Sequence, residues 1–249
     1  MNSSTGKNIT NSFRLLTVEQ LVFIDSQVEN YQFLASEIIP GVKVIILQKD
    51  RDGIAQISEI LQSQPQVSNV HIVSHGSPGC LFLGNTNLSL DTLERYASEL
   101  KNWFSSLSLV PHPSSLLLYG CNVAAGDAGE EFITKLHDIT GVEVAASTTR
   151  IGNAARGGNW QLDYQTGKIA TEIAFTQQVQ QTYAGVLVDV TVNNTSSGAI
   201  NGNTTTANPL VRTFEVTDDI SVDSISLGFN ANHAYRGDIQ AIKIGRAHV

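Results

Sequence analysis

Two reactive side chains follow apolar runs of the sequence, and their placement predicts that they meet. His75 follows the run 70–73, Cys121 follows the run 116–119, and a glycine adjoins each of them. Short apolar runs bounded by turn residues are typical of buried parallel strands. In open parallel α/β sheets, ligands bind outside the carboxyl ends of the strands. If the two runs are neighbouring strands, an imidazole and a thiol lie together at the functional edge of the sheet.

This pair of residue types is the minimum for nucleophilic catalysis by cysteine. The thiolate is the reactive form of a cysteine, and a base within hydrogen-bond reach produces it. Each residue taken alone is more typical of a packed core, where a free cysteine behaves as a small hydrophobe. Because both residues follow a strand and adjoin a glycine, the pattern favours catalysis, with Cys121 as the nucleophile and His75 as its base.

Cys80 permits two alternative interpretations of the same region. A disulfide between Cys80 and Cys121 would remove the nucleophile. A zinc site would draw on both cysteines together with His71 and His75. Four positions along a strand separate the two histidines by about 13 Å, which is too far for one metal ion. We therefore expect neither a disulfide nor a metal at this pair.

The composition predicts a folded protein and argues against several functional classes. Of the 249 residues, 41% are hydrophobic and 15% are charged, which is enough apolar content for a packed core. The net charge of −8, without a cluster of lysine and arginine, argues against nucleic-acid binding. No apolar run approaches the ~20 residues that span a bilayer. Residues 1–19 are polar and lack the apolar segment of a signal peptide, so we expect a loose lead-in.

Strand and helix patterns alternate through about residue 147, which predicts an α/β domain with a mostly parallel sheet. Strands are predicted at 21–28, 42–47, 70–73, 116–119 and 142–146, and helices at 30–38, 52–61, 91–107 and 128–139. The alternation in 160–164 predicts a hairpin strand. After Tyr183 the composition shifts to Asn, Thr, Ser and Gly, and the pattern becomes all-β. We therefore place a boundary between an α/β domain, 20–186, and a small β domain, 187–249.

The segments around the two reactive residues resemble known proteins. A strand ending in His-Gly, with a later strand ending in Cys, is similar to the caspase, gingipain and separase group of cysteine peptidases (clan CD). A closer resemblance, to domain of unknown function 4347, covers roughly residues 20–185 and rests on SHGSPGCLFLGNTNL, LLLYGCNVAAGDAGEEFI, VEVAASTTRIGN and GGNWQLDYQTG. These resemblances imply a caspase-like three-layer sandwich for residues 20–186.

The resemblance to the peptidase group also implies roles for individual residues. The dyad histidine of the group falls on His75 and its nucleophile on Cys121. The backbone N–H groups of Gly76 and Cys121 would then form the oxyanion hole. The loops differ from those of the group, so residues of a substrate pocket do not follow from the resemblance.

The sequence itself leaves the substrate preference open. Asn122 begins a stretch of small residues that leaves room for an acyl group. Arg150 and Arg156 follow the fifth predicted strand and could receive an acidic side chain, because a guanidinium group suits a carboxylate. Asp127 and Glu130, which follow the nucleophile, could instead receive a basic one.

The C-terminal segment carries a second resemblance. Residues 220–242 are similar to the P (homo B) domain that follows subtilisin-like proprotein convertases, which has a His-x-Tyr-Arg-Gly-Asp-Leu hallmark. The matching residues are His233, Tyr235, Arg236, Gly237 and Asp238, with Ile239 in the place of Leu. The sequence has no Gly-Thr-Ser nucleophile segment, so its residues do not support a serine-type endopeptidase.

Carboxylates in this tail suggest a hard cation. Asp218, Asp219, Asp223 and Asp238 are the candidate ligands for calcium, which prefers carboxylate oxygens. The last six residues, 244–249, resemble the translation of a sequencing-library adapter. We therefore expect the P-like domain to be incomplete and derive no function from those six residues.

Three functions are open at this point. The first is a cysteine endopeptidase module at the N-terminus of a large secreted or surface bacterial protein. It would cut a protein or peptide, its own chain included, without a cofactor. The second is a non-catalytic targeting or assembly module, and the third places the function in a calcium-associated β tail of a surface adhesin. Because a classical signal peptide is missing, we expect an export signal in a further C-terminal part.

Overall fold

A six-stranded sheet is the centre of the computed structural model, which describes residues 19–104 and 114–187. All described residues belong to the first of two compact units, Met1–Asp189. The strands are β1 Glu19–Asp25, β2 Val42–Leu47, β3 Val67–Val73, β4 Gly76–Ser77, β5 Cys80–Leu83, β6 Thr86–Ser89, β7 Ser115–Tyr119, β8 Glu143–Ala146 and β9 Tyr164–Gln165. The large sheet has the order β2-β1-β3-β7-β8-β9, with only β9 antiparallel to its neighbour, and β4-β5-β6 form a small antiparallel sheet.

Four of the described helices correspond to the predicted ones, whereas the helix Gln177–Thr182 was not predicted from the sequence. The helices are α1 Tyr31–Ser36, α2 Gly53–Ser63, α3 Leu90–Asn102, α4 Gly126–Thr140 and α5 Gln177–Thr182, with a short 3-10 helix at Ala154–Arg156. Asp52 caps α2 as predicted, because its carboxylate accepts a hydrogen bond of 3.0 Å from the Ala55 amide. Within the described ranges, no helix has both the length and the apolar character that crossing a bilayer requires.

Alternate residues of the central strands face two separate cores. On β1, Leu21 and Phe23 belong to the core that α2, α3 and α4 cover, whereas Val22 and Ile24 belong to the core that α1 and α5 cover. Burial on both faces explains why these strands are continuous apolar runs. The prediction of a mixed α/β fold with a mostly parallel sheet is therefore confirmed for the described residues.

Strands β3 and β7 lie side by side and run in the same direction. Val73 is level with Tyr119, and the pairing continues for one residue because the Ser74 amide donates to the Tyr119 carbonyl at 3.1 Å. His75 is the residue after Ser74, and Cys121 lies two residues after Tyr119. The two apolar runs thus end at the same edge of the sheet, as their sequences predict.

The prediction of a hairpin strand over 160–164 is wrong, since only Tyr164 and Gln165 pair, with β8. Trp160 is instead buried against the ring of Phe175, and its indole N–H donates to the Gln180 carbonyl at 3.2 Å. The apolar residues of this segment alternate because one side of the segment packs against α5. This alternation of apolar and polar residues is the same as that of a half-buried strand. Residues 188–249 lie outside the described part of the chain. The P-like segment, 220–242, and all of the predicted β domain except Leu187 therefore lie outside it as well.

A buried histidine in β3 has a structural role. His71 Nδ1 lies 3.0 Å from the Tyr119 hydroxyl and its Nε2 lies 3.2 Å from Oε1 of Gln20. The Tyr119 hydroxyl also accepts the Ala174 amide at 3.0 Å, so its proton is directed to His71. Burial lowers the pKa of His71 to about 4, because a charged imidazole would lose its hydration there.

This lowered pKa predicts a loss of stability in mild acid. The unfolded chain binds a proton at His71 below about pH 6.5 and the folded chain only below about pH 4, so the free energy of unfolding falls as the pH falls through that window. The contribution is about 1.4 kcal/mol per pH unit. Urea unfolding at several pH values should show this slope in the wild type and a shallower one in His71→Gln.

Identical slopes for the wild type and His71→Gln would mean that His71 is protonated in the folded state as easily as in water.

Candidate active site

The turns after β3 and β7 are in direct contact. A β-carbon at position 76 would lie 2.6 Å from Cγ2 of Val123 and 3.1 Å from the Cys121 carbonyl oxygen. A β-carbon at position 120 would lie 3.3 Å from the Gly76 α-carbon. A side chain at either glycine would push the two turns apart. Gly76 and Gly120 therefore allow the turns that carry His75 and Cys121 to lie in contact.

The ring of His75 is held by a backbone carbonyl. Its Nε2 lies 3.1 Å from the Gln27 carbonyl oxygen, which only accepts hydrogen bonds, so Nε2 carries the ring proton. Nδ1 is therefore the basic nitrogen of the neutral ring. It is buried, and nothing in residues 19–104 and 114–187 forms a hydrogen bond with it. A buried nitrogen with a free lone pair is the form in which an imidazole accepts a proton.

The carbonyl of Gln27 is positioned by the end of β1. The buried carboxylate of Asp25 accepts the Gln27 amide at 2.8 Å, and the Gln27 side chain donates to the Gly84 carbonyl at 2.8 Å. Sequence reasoning did not assign a role to Gln27, because it acts through its backbone. The usable signal was Asp25, a carboxylate at the carboxyl end of a buried strand.

Cys121 is fully buried and contacts the backbone of Ile151. The Ile151 amide donates to Sγ at 3.1 Å, and the Ile151 carbonyl oxygen lies 3.5 Å from Sγ. Burial raises the pKa of the Cys121 thiol to about 11, although the Ile151 and Leu187 amides and the positive charge of Arg150 oppose this rise. In this conformation the group is a neutral thiol at physiological pH.

The carbonyl oxygen of Leu187 lies between the two turns. It accepts hydrogen bonds from the Cys121 amide at 3.0 Å and from the Gly76 amide at 3.3 Å. These are the two N–H groups that the resemblance to clan CD peptidases designates as an oxyanion hole. The described chain thus fills that position with one of its own peptide carbonyls.

Residues 185–187 reach this position as an extended segment that pairs with residues 151–153. The Leu187 amide donates to the Ile151 carbonyl at 2.9 Å, and the Asn153 amide donates to the Gly185 carbonyl at 2.8 Å. Gly152 and Val186 pair in antiparallel orientation. Gly152 has a φ of 128°, and a β-carbon there would lie 2.4 Å from the Gly185 carbonyl oxygen, so only glycine permits this approach.

The remaining predicted site residues lie around this centre with different exposures. Asn122 is half-buried with a φ of 59°, and its amide donates to the Thr149 carbonyl at 2.8 Å. Arg150 and Asp127 are exposed, Asp127 in the first turn of α4. The pocket roles assigned to these three residues stay predictions.

Cys80 takes part in no disulfide with the candidate nucleophile. The two cysteines, Cys80 and Cys121, are not joined to each other. No group of three or more His, Cys, Asp or Glu side chains in the described ranges could hold a metal ion. The candidate calcium ligands Asp218, Asp219, Asp223 and Asp238 lie outside those ranges.

Comparisons with known proteins identify a family and leave its activity open. A sequence profile of the family described as domain of unknown function (DUF4347) matches residues 21–187, about two thirds of the chain. No curated protein matches the chain. Among solved structures, it is similar to caspase-1 from Spodoptera frugiperda, with 14% identity and a TM-score of 0.26, over 43% of this chain and 48% of that one.

The burial of Cys121 predicts slow alkylation of the intact chain. The pKa of about 11 leaves about 100-fold less thiolate at neutral pH than an ordinary cysteine has. In the variant Cys80→Ser, iodoacetamide should therefore modify Cys121 at least about 100-fold more slowly in the folded chain than in denaturant, as measured by intact mass. Equal rates in the folded chain and in denaturant would show that Cys121 is accessible.

Proposed function

The chain belongs to the DUF4347 family, and we propose that residues 20–187 are a cysteine endopeptidase with Cys121 as nucleophile and His75 as general base. The observation that carries this proposal is the position of the Leu187 carbonyl, which accepts the Gly76 and Cys121 amides. A peptide carbonyl in that position is polarised by two donors, and the Leu187 amide lowers the pKa of the Cys121 thiol against the effect of burial. Attack on an amide draws on a carbonyl polarised in this way near a nucleophile.

His75 is suited to accept the thiol proton. Its Nε2–H is committed to the Gln27 carbonyl, so the lone pair on Nδ1 is available, and that atom is buried without a hydrogen-bond partner among the described residues. The Gln27 carbonyl has the orienting function that a carboxylate has in other triads, and it also stabilises the ring once it is positively charged. The dyad needs no metal and no cofactor.

The raised pKa of Cys121 is compatible with this chemistry if proton transfer accompanies attack. A free-standing thiolate is disfavoured in the closed site, where burial holds the pKa at about 11. The imidazole removes the proton as sulfur approaches the carbonyl carbon, and the negative charge moves to the carbonyl oxygen. There the two amides stabilise it, and the loss of one such donor typically lowers the rate by about 10² to 10³.

A non-catalytic role is the second candidate, and one observation favours it. The thiol is fully buried and the oxyanion position is occupied, which also suits a domain that uses the fold for targeting or assembly. The two candidates differ in one property. Only a peptidase requires Cys121 to react with an electrophile in a manner that depends on His75.

Labelling with peptidyl acyloxymethyl ketones tests the peptidase proposal. A panel of these probes with different residues at the reactive end is incubated with the full chain until labelling is complete, since residues 185–187 must first vacate the site. We expect modification of Cys121 in the wild type, located by peptide mass, and a rate about 10² to 10⁴ lower in His75→Ala, because a positioned base contributes that much.

The control is Cys80→Ala. It removes the second thiol, which lies on β5, and should label as the wild type does. Modification at Cys80 instead of Cys121, or equal rates with and without His75, would rule out the peptidase and favour the non-catalytic module.

A further inference from the structure

We propose that the first substrate of this site is the chain itself, cut at the peptide bond that follows Leu187, with leucine as the recognised residue. This inference rests on the proposed function. It adds which peptide bond is cut, which side chain is recognised, and that the reaction takes place within one molecule. Its starting point is that the carbonyl held by the Gly76 and Cys121 amides belongs to a continuous peptide, so the same two donors would polarise a cleavable bond.

The segment 185–187 is bound in the way that peptidases hold an extended substrate. Its hydrogen bonds alternate with those of 151–153: the Leu187 amide donates to Ile151, and Gly185 accepts from Asn153. Addition of a strand in this manner fixes the register of a peptide through its backbone. The register here places the carbonyl of residue 187 at the two amides.

The preceding residues anchor the segment to the domain. Tyr183 is buried, its hydroxyl donates to the Glu29 carbonyl at 2.8 Å, and its own carbonyl accepts the Asn153 side chain at 2.8 Å. With this anchor four residues away, the local concentration of the bond at the thiol is that of an intramolecular reaction. Cleavage within one molecule is therefore favoured over cleavage between molecules.

The side chain of Leu187 defines an apolar specificity. It is fully buried in the core cluster that includes Ile151, Tyr183 and Val186. A charged side chain in that place would lose its hydration without a partner. Arg150 and Asp127, which the sequence suggested for acidic and basic substrates, are exposed, whereas Leu187 is fully buried. We therefore assign apolar peptides ending in leucine as the substrate class.

The reaction consumes one water molecule. The Cys121 thiol gives its proton to Nδ1 of His75, and Sγ bonds to the Leu187 carbonyl carbon. The C–N bond to Val188 then breaks, and His75 returns the proton to the departing amine. Water attacks the resulting thioester, with His75 taking and returning a proton, so that the Leu187 carboxylate and the Cys121 thiol are formed.

The extent of the family supports the position of this bond. The match to DUF4347 ends at residue 187, so the proposed cut separates the whole matched region from residues 188–249. The new carboxyl end would remain next to the two amides until the segment leaves. The site would then become available to other peptides.

The test is the fate of the full-length purified chain over time. Intact mass and N-terminal sequencing should find fragments 1–187 and 188–249, with a first-order rate that does not change on dilution. The variant Cys121→Ala should remain intact, and Cys80→Ala should be cut as the wild type is. Cleavage of Cys121→Ala, cleavage at another bond, or an intact wild-type chain would each overturn the proposal.

A pair of charge substitutions tests the role of leucine. Leu187→Asp should slow the cut by about 100-fold or more, because an apolar pocket rejects a carboxylate. Ala184→Asp introduces the same charge at an exposed position of the same segment and should be cut at the wild-type rate. Equal rates for the two variants would mean that the Leu187 side chain is not recognised.

Probe labelling of the same proteins separates this inference from the proposed function. Leu187→Asp should free the site, so its Cys121 should react with the acyloxymethyl ketones faster than the Cys121 of Ala184→Asp does before that variant is cut. His75-dependent labelling of Cys121 in a wild-type chain that stays uncut would overturn the self-cleavage alone. No labelling of Cys121 in any variant would overturn the peptidase as well.

Discussion

The convergence of two backbone amides on one carbonyl oxygen is the interaction on which this account depends. The amides of Gly76 and Cys121 come from the turns after β3 and β7, and both donate to Leu187. They converge because the two strands are parallel neighbours in register and because glycine at 76 and 120 lets the turns touch. An antiparallel or shifted pairing would separate the two donors. The convergence of the two donors is thus a consequence of strand order.

The site draws on the carboxyl ends of four adjacent parallel strands. Residues after β1 orient the imidazole, those after β3 and β7 provide His75 and Cys121, and those after β8 provide Ile151. Ligand sites of open parallel sheets occur at this edge because the connecting loops meet there. The sheet itself is buried on both faces, so it supplies a rigid base, and the loops above it carry the residues of the candidate site.

The sequence could predict those parts of the site that depend on the type of residue at a given position. Apolar runs marked the strands, and the ends of two of them brought His75 and Cys121 to one edge. The role of Leu187 could not be predicted in this way, because it acts through a carbonyl that every residue has. The shift in composition after Tyr183 placed Leu187 at the start of a second predicted domain. Gln27 was missed because it too acts through its backbone carbonyl. The segment 160–164 was misread because a loop that packs one side on a core alternates as a strand does.

The most direct measurement is the chemical form of the Leu187 carboxyl group when the chain is cut in the presence of hydroxylamine. Attack by Cys121 passes through a thioester, which hydroxylamine intercepts in competition with water. The account predicts that fragment 1–187 then carries a hydroxamate and is heavier by one NH group than the fragment formed without hydroxylamine. Only the free carboxylate at Leu187, at every hydroxylamine concentration, would contradict a covalent route through Cys121.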